Sequence, residues 1–255
     1  MQKQVIQATL ANDFDLDVDF RETTTICIER PIGTGVAVET IGKPPNPFLA
    51  TVGLRIEPAA IDSGVEFRLD LKVGSIPLFL YKAVEDFRKA VEDTVQATLR
   101  QGLRGWQVTD CTVTMTQSGY VSPGSTARDF RLLTPLVLMS ALRQAGTSVC
   151  EPIHHFHLEA PADTVGPILP VLARLRAVPG TPAIRGSTST LEGEIPAARV
   201  HELQQQLRAL TRGEGVLEFA FDHYQPVPGA IPTRPRTDHN PLNRMEYLLH
   251  VRRRV

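Results

Sequence analysis

Three histidines crowd one short stretch of the chain: His154, His155 and His157. On a strand, alternate side chains share a face, so His155 and His157 could grip a metal ion with two imidazoles. A metal-dependent enzyme built on that pair would need a third ligand, and no spacing in the chain points to one. The competing reading is a set of partly exposed or interdomain histidines. The carboxylates Glu85, Asp86, Glu92 and Asp93 recur at helical spacing and read as a solvated helix face. A phosphate-cradling loop needs glycines and a lysine running into a helix. Gly42-Lys43 runs into Pro44 instead, with no glycine five residues upstream. There is no Gly-x-Ser-x-Gly elbow, no His-Glu-x-x-His and no Cys-x-x-Cys. The residues therefore predict no catalytic site, no metal and no cofactor in this chain.

What remains is recognition chemistry carried by loops. Pro44-Pro45-Asn46-Pro47-Phe48, Gly74-Ser75-Ile76 and Tyr120-Val121-Ser122-Pro123-Gly124-Ser125 each interrupt strong secondary structure. Three prolines in the first fix φ and remove three donors. The third sets an aromatic and several hydroxyls around a proline. A loop of that kind can hold a shape and can stack on, or hydrogen-bond to, an unpaired base; the alternative is a turn that merely connects. Arginines supply the complementary attraction. From Arg234 onward there are six (Arg234, Arg236, Arg244, Arg252, Arg253, Arg254) against Asp238 and Glu246, a local charge of +4. Arg234, Arg236 and Arg252–Arg254 are the predicted phosphate contacts.

The whole chain is not basic. Its 255 residues carry a net charge of −1, with 42% hydrophobic and 22% charged residues. That excludes binding to nucleic acid by bulk charge and leaves a local patch as the only electrostatic route. No apolar run approaches the roughly 18–20 residues of a membrane span. Three widely spaced cysteines, Cys27, Cys111 and Cys150, suit buried free thiols in the cytoplasm.

These loops need elements to hold them. Residues 13–20 alternate strictly, with Phe14, Leu16, Val18 and Phe20 on one face and four aspartates on the other. The pattern predicts a strand with a solvated edge rather than a metal site, after a short helix through Val5, Ile6, Thr9 and Leu10. Strand patterns follow at 23–30, 36–41, 50–56 and 65–73. A helix is predicted over 77–101, through Leu80, Val84, Phe87, Val91, Val95 and Leu99. Next come a strand over 106–116, a loop over 117–126 and a helix over 127–144 stopped by Gly146. From 153 to 224 the order becomes β-α-β-β-α-β, the ferredoxin-like split unit. A last short helix is expected over 242–250, its Leu242, Met245, Leu248 and Leu249 packing back on the first module. The fold class is α+β, with two α/β-type modules.

Several segments resemble a known family. Ile28-Glu29-Arg30-Pro31, residues 44–48, Gly105-Trp106-Gln107-Val108-Thr109-Asp110-Cys111 and residues 122–130 are similar to the tetracycline ribosomal-protection proteins. Those are translational GTPases related to elongation factor G. Phe221-Asp222-His223-Tyr224 is similar to a segment of elongation factor G itself. The resemblance spans essentially the whole chain.

It implies the following organisation. Residues 1–22 are the last helix and strand of a third domain. Residues 23–147, with the C-terminal helix at 242–252, form a fourth domain of ribosomal protein S5 domain 2-like fold. Residues 148–226 form a ferredoxin-like fifth domain, and 227–255 a Pro/Arg-rich tail with its helix. The GTP-binding domain, with its GTP and magnesium, lies outside this chain, which reads as a fragment of a longer GTPase. The implied partner is the bacterial ribosome, met by a cytoplasmic monomer with no membrane attachment. The loop at 120–126 would reach 16S rRNA at the decoding site and release tetracycline, while the tail and fifth domain meet 23S rRNA. The family pattern has two aromatics and then Ser-Pro-Val-Ser-Thr; here Val121 replaces the second aromatic and Gly124 the valine. An elongation factor G-type GTPase without a resistance role is the alternative.

Overall fold

The computed structural model describes residues 2–16, 18 and 25–252. Helix α1 (Gln2–Phe14) takes in the first two positions of the alternating run, Asp13 and Phe14. The strand expected at 13–20 is thus corrected to a helix end at its start; Asp17, Asp19 and Phe20 lie outside the described residues.

Strands β1 (Ile28–Pro31), β2 (Gly35–Glu39), β3 (Ala50–Pro58) and β4 (Val65–Leu69) come next. A single 3-10 turn, Val73–Ser75, leads towards helix α2 (Val84–Leu99). The helix therefore begins about two turns later than the apolar stripe implied. Leu80 is in phase with Val84, but its N–H bonds to Pro77 O in a turn (2.9 Å), and Ala83 is extended.

The run read as one strand at 106–116 is two. Strand β5 (Gln107–Val108) ends just before Asp110, whose φ of 56° turns the chain, and β6 (Cys111–Tyr120) starts in a different sheet. Strand β6 also runs through residues 117–120, so the loop is shorter than expected. Helix α3 (Ala127–Ala145) opens with a capping box, in which Asp129 accepts from the N–H of Thr126 (2.8 Å). Then follow β7 (Thr147–Pro161), α4 (Val165–Arg174), β8 (Val178–Pro179), β9 (Ala183–Arg185), β10 (Thr188–Pro196), α5 (Ala197–Leu210), β11 (Val216–Pro226) and α6 (Arg244–Arg252).

Two sheets result. The four-stranded sheet has order β2-β3-β6-β4, with β4 parallel to β6. It buries Leu54, Ile56, Val113 and Met115 against Phe87, Val91 and Val95 of α2 and Phe130, Leu133 and Val137 of α3. Tyr247 and Val251 of α6 join the same core, with Leu242 and Leu248 beside them. Met245 and Leu249 face outward, contrary to the expected stripe, at 78% and 54% exposure.

The other sheet has β7 at its centre, antiparallel to β10 and β11, with β8 and β9 beyond β10. Helices α4 and α5 cover one face, where Phe156, Leu158 and Leu191 meet Ile168, Leu172, Leu203 and Leu207. The first four residues of β7 pair with β1, which carries β5 on its other side. One continuous strand thus belongs to both modules. Arg30 adds a second tie: its Nε donates to buried Asp110 at 2.6 Å and its Nη1 to Tyr224 O at 3.0 Å.

All three cysteines are free and buried. Burial raises each thiol pKa, that of Cys111 to about 12.

Candidate nucleic-acid interface

Register brings the three loops to one end of the four-stranded sheet. Ala50 at the start of β3 pairs with Tyr120 at the end of β6. Leu69 at the end of β4 pairs with Met115 of β6, and Asp70 N–H bonds to Met115 O at 2.9 Å. Residues 41–49, 70–83 and 121–126 therefore share one tip.

Each loop is braced from inside. The Asn46 amide donates to Ala50 O (2.7 Å) and accepts from Phe48 N–H (2.9 Å). Arg244 of α6 grips Glu39 with two bonds of 2.5 and 2.9 Å and reaches Pro45 O at 2.8 Å. Ser125 Oγ accepts from Val121 N–H at 2.8 Å and donates to Leu49 O at 2.5 Å, stitching two loops together. The peptide bonds before Pro45 and Pro123 are cis.

This bracing sorts the expected contact residues. Pro44, Pro45, Gly74, Val121, Ser122, Pro123 and Gly124 are exposed, and Asn46, Pro47, Ser75 and Tyr120 half-buried. Phe48, Ile76 and Ser125 are buried, so they hold the tip rather than contact a partner. Residues the sequence did not single out complete its outer surface. Phe79 packs on the predicted Tyr120 with ring centroids 5.4 Å apart, and Leu49, Val73 and Leu78 are, like the predicted Val121, at least 43% exposed. Lys43 and Lys72 are exposed on the same loops. An apolar platform flanked by ammonium groups suits unstacked bases and their phosphates. Nothing local in sequence marks Leu49 or Phe79, since both sit in segments that read as ordinary connections to core elements.

The tail arginines divide. Arg236 is withdrawn from the phosphate set: its side chain is 8% exposed, donating to Gln101 O (2.6 Å), Gly102 O (2.7 Å) and Asp238. It straps the tail to the turn after α2. Arg234 lies 5.0 Å over the Trp106 ring and donates to Gly105 O, while Trp106 Nε1 donates to Pro232 O at 2.9 Å. Its residue is nonetheless exposed at the surface. The side chain of Arg252, and all of Arg253 and Arg254, lie outside the described residues.

The histidine pair does share an exposed face, as alternation requires. His157, however, is held between Glu192 (3.2 Å) and Glu159 (3.5 Å), whose hydrogen bonds raise its pKa. Among the described residues the grouping with metal-ligand proximity is Glu194, Asp222 and His223, which includes neither His155 nor His157. A nucleotide phosphate finds little welcome at the two long helices of the first module. Glu85 and Asp86 occupy the first turn of α2, and Asp129 closes that of α3.

Comparison with known proteins decides the family. Residues 17–146 match the family model for elongation factor G, domain IV, and residues 148–235 that for the elongation factor G C-terminus. The chain belongs to the elongation factor G family. The four-stranded sheet with α2 and α3 is accordingly domain IV, and the sheet around β7 the C-terminal domain. The chain is 45% identical over 262 residues to an oxytetracycline resistance protein of Streptomyces rimosus, covering 100% of this chain and 38% of that protein. It is 35% identical over 251 residues to the tetracycline resistance protein TetP of Clostridium perfringens, covering 98% of the chain and 37% of TetP. The chain thus spans under two fifths of these relatives. A solved structure from Thermus thermophilus shares the fold, with a TM-score of 0.70 and 22% identity over 98% of this chain and 35% of that one. No helix among the described residues is long and apolar enough to cross a membrane.

Proposed function

We propose that this chain is the ribosome-binding part of a tetracycline resistance protein of the ribosomal-protection type. Its domain IV tip would contact 16S rRNA at the decoding site and release tetracycline, while the C-terminal domain and tail face 23S rRNA. The observation that carries the reading is the braced tip, where Phe79 and Tyr120 pack together beside exposed Leu49 and Val121. Likeness to the oxytetracycline resistance protein supports the drug class. Catalysis has no part in this chain. GTP and magnesium would belong to a GTPase domain elsewhere in a longer parent, acting in the cytoplasm as a monomer.

The mechanism is placement. Internal hydrogen bonds fix the loops before binding, so little ordering entropy is lost at contact. Phosphate attraction brings the tip in, and the aromatic platform then competes for the space beside an unpaired base.

The test uses the full-length parent with ribosomes carrying labelled tetracycline. Tyr120→Ala and Phe79→Ala should impair drug displacement more than ribosome association, and Val121→Tyr should strengthen displacement. If these variants displace drug as well as the unmodified parent, the resistance role fails, and a translation factor without one takes its place.

A further inference from the structure

Helices α3 and α6, with the tail before α6, line an open cleft of about 400 Å³ formed by Arg128, Arg131, Leu132, His239, His250 and Val251. None of these is a carboxylate. Arg128 and Arg131 are three residues apart on α3 and so share a face. His239 and His250 stack with centroids 4.6 Å apart and planes 20° apart. Two rings so close can present their N–H edges to one ligand.

Among the described residues, most of the donors in this cleft are uncommitted. Arg128 spends one bond on Val251 O, at 2.8 Å, capping the end of α6. Arg131 has no carboxylate partner among the described residues, although its charge lies near both Tyr81 and Tyr247. The carboxylate next in sequence, Asp238, is already held by Arg236 at 2.9 and 2.7 Å. Beyond Val251 the sequence continues into Arg252-Arg253-Arg254. Because α3 begins directly after the loop at 121–126, the cleft opens on the flank of the same domain that carries the tip.

We infer that this cleft binds the phosphodiester backbone of single-stranded RNA. Two guanidinium groups of fixed spacing suit phosphate oxygens, and the imidazole stack offers further donors and a surface for a sugar or base. The inference rests on the reading of domain IV as an rRNA-contacting domain, and gives it a second anchor outside the three loops. The tip would supply shape, and the cleft a salt-sensitive grip.

The experiment has two arms on the intact chain. In the first, the ring resonances of His239 and His250 are followed by NMR while an oligouridylate of about eight nucleotides is added, a length within the usual single-strand site size. Saturable shifts are expected, with affinity falling several-fold in Arg131→Gln and His250→Gln and recovering in Arg131→Lys. Inorganic phosphate is titrated separately. Equal binding of phosphate and oligonucleotide would reduce the cleft to an ion site and overturn the proposal, as would no shift with RNA. In the second arm, ribosome binding is measured across salt concentrations. Arg131→Gln should lower the log–log slope by about 0.7, the loss of one single-strand phosphate contact. An unchanged slope overturns the ribosomal role of the cleft. If the cleft takes up RNA while the chain binds no ribosome, the proposal stands and the ribosomal reading of the chain falls.

Discussion

The Ser125 hydroxyl lies 2.5 Å from the backbone carbonyl of Leu49, joining two loops that are far apart in sequence. Only 1% of Ser125 is exposed, and the same oxygen accepts from Val121 N–H. Ser125→Ala strands a donor and an acceptor, which should cost domain IV about 1–3 kcal/mol. Urea unfolding and amide exchange at Val121 measure it; unaltered exchange there would deny the stitch its role.

Glu29 is fully buried and surrounded by donors. Its oxygens accept from Leu103, Arg104 and Trp106 N–H (2.9, 2.8 and 3.1 Å) and from the Thr147 hydroxyl (2.7 Å). Glu29→Gln keeps the shape but turns an NH2 towards N–H groups. A loss of about 1.5–3 kcal/mol is expected. Gly102→Ala should be damaging by a separate route, since an added Cβ would come within 2.6 Å of the Glu29 carboxylate carbon. Thermal unfolding as stable as the parent in either variant would contradict this account.

Tyr247 anchors α6. It is 4% exposed and donates its hydroxyl to Leu132 O at 2.8 Å. Truncation to alanine should cost domain IV about 3–5 kcal/mol, the usual range for a buried aromatic. The C-terminal domain, whose core shares no residue with this one, should keep its stability. Module-resolved hydrogen exchange distinguishes that result from uniform loss.

His157 gives a pH signature. Hydrogen bonds to Glu192 and then Glu159 raise its pKa above 6.5. The protonated form is favoured by folding, so its contribution is complete below 6.5 and disappears as pH rises through the folded-state value. Solvent screening at this half-exposed site keeps the effect small. Ring titration by NMR should give a midpoint above 6.5 that falls on Glu192→Gln; a midpoint at or below 6.5 would refute the pairing.

The α+β class and most elements were legible in the sequence because their signals are local. Thr126, three residues before Asp129, and Gly146 bracket α3, and the period-3.6 stripes of α4 and α5 stand between clean strand patterns. Local signals failed where a distant partner decides. Asp110 adopts a left-handed φ of 56° with its carboxylate bound to Arg30, 80 residues away in sequence, so one strand pattern became two strands. Residues 77–83, Leu80 of the stripe among them, continue α2 on paper but fold into the tip. For the site, proline and hydroxyl content marked two loops, yet pattern alone could not say that Phe48, Ile76 and Ser125 turn inward. Nor could charge counting separate Arg236, which is consumed by Gln101, Gly102 and Asp238, from arginines still free to act.

Strand β7, fifteen residues and roughly 50 Å long, pairs with β1 at one end and with β10 and β11 along the rest. A spar shared in this way joins the modules through one ladder of backbone hydrogen bonds. A tilt of the C-terminal domain should therefore be felt by the domain that carries the tip. The chain is thus built as a stylus and its handle in one piece, whose point is aimed from the other end.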